Sequence, residues 1–174
     1  GRPRHVSGTC VACAMEGTRP ILAEVQGLAT TTGFGNPRRM STGFDYNRMS
    51  LLLAVLEKRA GYFFSNVDAY INVVGGLRLD EPAVDLAVAM ALVSSLKDMP
   101  VLENALAFGE IGLAGEIRSV SHAEARAAEA ARLGFSRCVL PYHNIKMISS
   151  SVKNSIELVG VRNIRDAFDA LSSH

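Results

Sequence analysis

The stretch Leu77–Ser95 reads L-R-L-D-E-P-A-V-D-L-A-V-A-M-A-L-V-S-S, and it decides the fold. Pro82 is expected at the first position of a helix, because its missing N–H would have no intrahelical partner there anyway. From Ala83 to Val93 nearly every residue is apolar on all sides of the 3.6-residue period, which a surface helix does not tolerate. The run is too short to cross a membrane. The stretch therefore predicts a buried central helix.

A glycine-rich corner leads into this helix. Residues 69–74 read A-Y-I-N-V-V, which predicts a buried strand, and residues 75–76 are both glycine. Backbone N–H groups collect where such a corner meets a helix N-terminus, so chemistry is to be sought there first. Three carboxylates lie at this corner, those of Asp80, Glu81 and Asp85. We interpret them as complementing the helix dipole, and the alternative is that they bind a cation.

The bulk composition is that of an ordinary globular domain. The 174 residues are 48% hydrophobic and 20% charged, and the net charge of +1 gives no overall basic field. No signal peptide, transit segment or membrane span is recognisable, so we expect a cytoplasmic protein without a membrane partner. Gly1 is interpreted as the remnant of a cleaved tag, which makes the chain an excised domain.

The cysteines and histidines give no pattern of ligands. Cys10 and Cys13 form C-x-x-C, but residues three apart in a strand face opposite sides of a sheet. We therefore expect buried structural cysteines rather than a redox or zinc pair, and no metal. His5, His143 and His174 lack ligand spacing and are expected at the surface.

Elsewhere the pattern predicts a mixed α/β (α+β) domain. We expect a hairpin of two strands at 5–16 and 21–32, a loop at 33–44, a helix capped by Asp45 that ends at Gly61, and a strand within 63–79. Two short strands are expected within 105–120, separated by residues 113–115. Ser121 and Glu124 predict a capping box for the next helix. The remaining predictions are a strand at 137–141, a helix or loop at 143–152, a strand at 156–161, and a helix capped by Asn163.

Several motifs together resemble a known family. The chain is similar to the proteolytic domain of Lon proteases, and more closely to the Lon-like C-terminal domain of the RadA (Sms) family of bacterial DNA-repair proteins. The resemblance covers essentially residues 1–174 as a single Lon-like domain. The segments that carry it are N-P-R-R at 36–39, N-R at 47–48, N-V-V-G-G at 72–76, D-L-A at 85–87 and F-G-E-I-G-L-A-G-E-I-R at 108–118.

The resemblance implies a ribosomal-protein-S5-domain-2-like, Lon-protease-like fold that assembles into a ring, with a hexamer expected. In that family a zinc finger and a RecA-type ATPase domain precede the module, and no Walker P-loop occurs in this chain. ATP, magnesium and zinc are therefore expected only for the absent domains, and no cofactor for this one. The implied partners are DNA, single-stranded or branched, and a recombinase that meets the full-length protein.

The peptidase dyad of the Lon family is missing at the matching positions. Where that family has a nucleophilic serine this chain has Ala83, and where it has a base lysine this chain has Glu124. A methyl group cannot attack a carbonyl, and a carboxylate cannot replace a lysine that acts as base. A triad of Ser121, His122 and Glu124 is disfavoured, because adjacent residues at a helix start do not converge on one substrate. We expect no enzyme activity from this chain.

Basic residues in one region suggest a DNA contact. Phe34 and Phe44 are interleaved with them and are suited to stacking on bases. For Arg48 the alternative is an ion pair with a carboxylate across a subunit contact. For Lys58 and Arg59 the alternative is that they lie in solvent at the C-terminus of a helix. The five candidate cations are Arg38, Arg39, Arg48, Lys58 and Arg59.

The leading hypothesis is a non-proteolytic Lon-like domain of a RadA-type repair and recombination protein. It supports ring assembly and DNA binding, while the absent ATPase domain drives branch migration. Two alternatives remain open: a serine-lysine peptidase that uses displaced residues, and an oligomerisation scaffold without DNA contact.

Overall fold

The fold is built on a seven-stranded mixed sheet with helices on both faces, seen in a computed structural model that describes residues 6–172. The predictions for His5 and His174, and for the tag remnant Gly1, lie outside the described residues. The strands are β1 (Thr9–Glu16), β2 (Arg19–Thr31), β3 (Arg39–Thr42), β4 (Val67–Val73), β5 (Ala105–Ala107), β6 (Glu110–Ile111), β7 (Ile117–Arg118), β8 (Arg137–Pro141) and β9 (Glu157–Val161). The helices are α1 (Tyr46–Ala60), α2 (Asp85–Lys97), α3 (Ala123–Arg132), α4 (Ser150–Lys153) and α5 (Ile164–Ser172).

The main sheet has the order β3-β4-β2-β1-β5-β8-β9. The predicted hairpin β1–β2 is confirmed as an antiparallel pair, and β4 joins β2 antiparallel. The other four pairings in this sheet are parallel, including β1 with β5, where Val11 lies opposite Leu106. The domain is thus a mixed α/β fold with a mostly parallel sheet, as the pattern predicted.

The central helix α2 is confirmed. A 3-10 turn at Pro82–Val84 leads into α2, and every residue from Asp85 to Ser94 is buried. Gly27 of β2 lets α2 come close, because a Cβ built on Gly27 would lie 2.9 Å from the carbonyl carbon of Ala91. The helix therefore occupies the centre of the larger of two hydrophobic cores, between the sheet and helices α1 and α5.

The smaller core lies on the opposite face of the sheet, under α3. Cys13 and Leu140 project into it from β1 and β8, Phe108 projects from the connection after β5, and Ala127 meets them from α3. Cys10 instead faces the larger core, so the two cysteines of the C-x-x-C motif point to opposite faces. Their predicted burial is confirmed, and the described cysteines are buried thiols that form no disulfide.

The caps of α1 and α5 are also confirmed. The side chain of Asp45 accepts a hydrogen bond from the Arg48 N–H at 2.9 Å, and Gly61 ends α1 in the left-handed region. The side chain of Asn163 accepts from the Asp166 N–H at 2.9 Å. Each cap depends on neighbours in sequence, which is why the pattern could predict it.

Two sequence predictions fail in part. The expected loop at 33–44 contains strand β3, which pairs with β4 at the edge of the sheet and is too short to show a period. The short strands β6 and β7 form as expected, but β5 was missed before them. The segment at 143–152 is a 3-10 helix, Tyr142–Met147, followed by α4.

The predicted capping box of α3 is wrong. His122 precedes α3 in the left-handed region with φ of 60°, and it makes no side-chain cap. The Glu124 carboxylate accepts a hydrogen bond from the Ser149 N–H, not from residue 121. A contact between α3 and the start of α4 has therefore replaced the local cap.

Candidate functional site

The head of α2, where the Lon family would carry its nucleophile, is closed by backbone. Ala83 is only 4% exposed. Its carbonyl accepts a hydrogen bond from the Gly109 N–H at 2.8 Å, and the Gly109 carbonyl accepts from the Leu86 N–H at 3.0 Å. The connection between β5 and β6 thus lies directly across the helix head, and the side chain at position 83 is a methyl group.

Arg48 of α1 binds Asp85 at this head through two prongs. The Arg48 Nε lies 3.0 Å from Asp85 Oδ1, and Nη2 bonds Oδ2. The Ile111 N–H also donates to Asp85 Oδ2, at 3.1 Å. Burial raises the pKa of the Asp85 carboxyl against the lowering effect of these bonds, while the hydrogen bond to Asp85 raises the pKa of Arg48. Arg48 therefore joins α1, α2 and β6 within one chain, and its charge is used inside the fold.

Arg126 of α3 forms a second ion pair, with Glu81. The Arg126 side chain is 1% exposed; its Nε donates to the Ser121 carbonyl at 2.9 Å and its Nη1 to the Cys13 carbonyl at 2.8 Å. Glu81 also accepts from the Met15 N–H at 3.1 Å. Sequence reasoning missed Arg126, although its spacing from Ala123 and Ala130 places it on the buried face of α3.

The acidic residues of the corner do not form a cation site. Asp80 pairs with Arg78 at 2.9 Å, Glu81 with Arg126, and Asp85 with Arg48, so each carboxylate has its own arginine. Within residues 6–172 no group of three or more His, Cys, Asp or Glu side chains is placed to hold a metal ion.

The residues considered for a displaced catalytic dyad or triad are not hydrogen-bonded to one another in the described part of the chain. The hydrogen bond from Ser149 lowers the pKa of Glu124, which keeps it an anion. In the described part of the chain no hydrogen bond joins Ser121, His122 and Glu124. The lysines, at positions 58, 97, 146 and 153, are all exposed, so none is buried beside the head of α2.

Two neighbouring arginines, Arg38 just before β3 and Arg39 as its first residue, differ in their contacts. Arg38 is exposed, and its backbone N–H donates to Asp68 Oδ1 at 2.7 Å. The Arg39 guanidinium is hydrogen-bonded to the backbone. Its Nη2 donates to the Phe64 carbonyl at 2.7 Å, and its Nη1 donates to the Val67 carbonyl. Arg39 is thus a fixed positive charge, whereas Arg38 has a side chain free to reach a ligand.

An open groove of about 660 Å³ lies between α1 and the segment that follows it. Arg39 and Lys58 line it together with the Phe63 ring. Glu57, its one acidic lining residue, turns to the Phe64 N–H at 2.9 Å and the Ser65 hydroxyl at 2.7 Å. The remaining lining residues are Ser50, Leu53, Ala54, Gly61, Phe64 and Ser65.

Arg59 lies on α1 but does not line this groove. It is exposed, and its Nε donates to the Leu113 carbonyl at 3.3 Å, in the turn between β6 and β7. We call the surface formed by Arg39, Lys58 and Phe63 the α1 groove surface. Two of the five predicted cations therefore line it, and Arg38 is exposed next to Arg39 in the chain, whereas Arg48 and Arg59 are directed elsewhere.

The aromatic predictions divide. Phe34 is fully exposed in the loop before β3, but Phe44 is 4% exposed and belongs to the larger core, so its predicted stacking role is wrong. Phe63, which sequence reasoning missed, is 65% exposed in the groove. The sequence Tyr62-Phe63-Phe64 does not indicate which of the three rings is exposed, because the segment shows no recognisable alternation of polar and apolar residues.

No helix in the described residues has the length and apolarity needed to span a bilayer. The fold is that of a mixed α/β domain in which Arg48 binds Asp85 at the head of α2. The chain belongs to the family described as subunit ChlI of Mg-chelatase, whose model matches residues 45–144. More particularly, it is a RadA-like domain, as the sequence resemblance predicted.

The relatives that support this have one name. The chain is 49% identical over 168 residues to DNA repair protein RadA of Halalkalibacterium halodurans, which covers 97% of this chain and 36% of that protein. It is 50% identical over 161 residues to DNA repair protein RadA of Bacillus subtilis, covering 92% of the chain and 35% of the relative. The protein of that name from Listeria monocytogenes is 49% identical over 166 residues, or 95% and 36%. The chain therefore spans about a third of the length of these curated relatives.

Proposed function

We propose that this chain is a non-proteolytic, Lon-like domain of a RadA-type DNA repair and recombination protein, which supports ring assembly and offers a basic surface to DNA. The observation that carries the proposal is the identity of about half of all residues, along nearly the whole chain, to proteins named DNA repair protein RadA. ATP hydrolysis, zinc binding and contact with a recombinase then belong to the other two thirds of the full-length protein.

The α1 groove surface is the part of the domain that we assign to DNA. Lys58 lines it with an exposed cationic side chain, Arg38 is exposed next to Arg39, and the Glu57 carboxylate of the groove is bonded to the Phe64 N–H and the Ser65 hydroxyl. Phosphate contacts release condensed counterions, so each cation that binds single-stranded DNA adds about 0.7 to the slope of log affinity against log salt. Arg48 is left out of this assignment because its guanidinium is bound to Asp85.

The test is the salt dependence of binding to single-stranded DNA, followed by fluorescence anisotropy. An Arg38→Ala/Lys58→Ala variant is expected to bind more weakly and to lower the slope by about 1.4. Arg132→Ala is the matched control, since Arg132 is exposed but lies on α3, on the other face of the sheet. Equal binding by all three proteins would favour a scaffold without DNA contact.

We expect no peptidase activity from this chain, and two features support that expectation. Position 83 offers a buried methyl group, and every lysine is exposed. A fluorogenic casein assay is expected to give no turnover above buffer. Turnover that persists through further purification would return the peptidase hypothesis to first place.

Ring assembly is tested directly by analytical ultracentrifugation of this chain. A concentration-dependent, closed oligomer is expected, with a hexamer as the predicted size. A monomer at all concentrations would assign assembly to the remainder of the full-length protein.

A further inference from the structure

Phe63 occupies an unusual place among three consecutive aromatic residues. Tyr62 is 5% exposed and Phe64 is 1% exposed, and both belong to the larger core, whereas the Phe63 ring is 65% exposed in the groove beside α1. A single exposed phenylalanine needs no explanation by itself. What calls for one is its position in a groove whose other charged groups are two cations and one internally bonded carboxylate.

The backbone that carries Phe63 is held on both sides. Gly61, in the left-handed region, fixes the turn that precedes it. After it, the Phe64 N–H donates to Glu57 at 2.9 Å and the Phe64 carbonyl accepts from Arg39 at 2.7 Å. With Phe64 anchored in the core, the segment has no freedom to fold the Phe63 ring inward. The ring is therefore presented in advance, which lowers the entropic cost of binding against it.

Charge decides what kind of ligand suits this ring. Lys58 and Arg39 line the groove, and Arg38 is exposed next to Arg39. The Glu57 carboxylate is already satisfied by the Phe64 N–H and the Ser65 hydroxyl, and these bonds lower its pKa. An aromatic face flanked by cations fits a ligand that alternates flat bases with phosphates, and the volume of about 660 Å³ has room for a nucleotide.

We propose that the groove beside α1 binds single-stranded nucleic acid, with one base stacked on the Phe63 ring and the adjoining phosphate held by Lys58. This rests on the proposed function, and it adds a binding mode and a selectivity. Bases in a duplex are already stacked on each other and cannot present a face to Phe63. The groove surface therefore prefers single strands, while its cations alone would bind either form.

The experiment compares affinities for oligothymidylate and for a duplex of equal length. Phe63→Ala is expected to weaken binding of the single strand about 5- to 100-fold and to leave the duplex nearly unchanged. Phe63→Leu, which keeps apolar bulk but no aromatic face, is expected to behave like Phe63→Ala. Tyr142→Ala is the matched control, because the Tyr142 ring is 47% exposed and lies in the 3-10 helix after β8, outside the groove.

A second readout reports stacking without an affinity measurement. The chain contains no tryptophan, so in a Phe63→Trp variant the indole emission comes from this position alone. Addition of oligothymidylate is expected to quench that emission, with affinity retained. Because Phe63 is exposed, urea unfolding of each variant should match that of the parent chain, which separates a binding effect from misfolding.

The outcomes separate this inference from the proposed function. If Lys58→Ala weakens DNA binding and Phe63→Ala does not, the stacking mode is overturned while DNA binding by this surface stands. If neither variant changes DNA binding but Phe63→Ala alters sedimentation of the oligomer, the groove is a contact between copies, and the inference fails. If the parent chain binds no DNA at all, both fail together.

Discussion

Arg48 and Asp85 form a two-pronged ion pair between the first turn of α1 and the first residue of α2, with Nε 3.0 Å from Oδ1. The Asp85 side chain is 1% exposed and that of Arg48 is 29% exposed. The same Asp85 oxygen that meets Nη2 accepts the Ile111 N–H, so the pair also fixes β6. The helix head thus depends on one carboxylate that serves three elements.

Asp85→Asn is therefore expected to lower the free energy of unfolding by about 3 kcal/mol, because it leaves the Arg48 charge without its partner in a partly buried place. Urea unfolding followed by circular dichroism measures the loss. Asp80→Asn is the matched control: it breaks the exposed pair with Arg78 and is expected to cost less than about 1 kcal/mol. Equal losses of unfolding free energy in both variants would show that the Arg48–Asp85 pair contributes no more to stability than the exposed Arg78–Asp80 pair.

Arg126→Lys is expected to destabilise the chain by at least about 2 kcal/mol although the charge is kept. The guanidinium reaches the Ser121 carbonyl, the Cys13 carbonyl and Glu81 at once, and a lysine ammonium at a different reach leaves buried acceptors unpaired. Arg132→Lys on the exposed side of the same helix is expected to be nearly neutral. A stable Arg126→Lys protein in urea would mean that charge alone, without the fork geometry, suffices.

The bond between Glu124 and the Ser149 N–H predicts a pH dependence. It lowers the pKa of Glu124 in the folded chain, so the stabilisation is present above the ordinary glutamate pKa of about 4.3 and is lost as pH falls through the folded value. The parent chain is expected to be more stable than Glu124→Gln near neutral pH, and the difference is expected to vanish in acid. Thermal unfolding of both proteins at a series of pH values provides the measurement. A difference that stays constant with pH would contradict the assignment.

The cysteines are expected to resist thiol reagents in the folded chain. Cys10, Cys13 and Cys138 are fully buried, and burial raises the pKa of Cys13 to about 12 and also raises that of Cys138. At about pH 8 Cys13 and Cys138 therefore carry almost no thiolate, and burial keeps the Cys10 thiol away from the reagent. Absorbance after addition of a chromogenic disulfide reagent should rise only when denaturant is added. Rapid labelling of the native chain, or zinc retained after dialysis, would contradict the structural role of the C-x-x-C pair.

Much of the fold was predictable because its signals are local. Asp45 and Gly61 bracket α1 with a side chain and a left-handed turn that any reader of the sequence can place. The all-round apolar pattern of α2 likewise predicts burial without reference to any other element. An element that is stabilised by its own neighbours in the chain can be predicted from the sequence.

The features that escaped prediction depend on distant partners. The α3 cap failed because Glu124 finds the Ser149 N–H, while Arg126 folds back on the Ser121 carbonyl. The pairing of Arg126 with Glu81, like the outward face of Phe63, follows only once the sheet has brought separate segments together. The resemblance to Lon proteases directed attention to the head of α2, but it gave no information on which side chains close that head.

Strand β1 lies between β2, its neighbour along the chain, and β5, whose Leu106 faces Val11. During synthesis on a ribosome, the β1–β2 hairpin can form early, but one side of β1 keeps its backbone groups unpaired until the segment around Leu106 has emerged. A nascent chain of this design keeps an open sheet edge until that segment has been synthesised, and an open edge can pair with another chain. Pausing before that segment therefore exposes the newborn protein to aggregation, and steady elongation through it protects the yield of folded molecules.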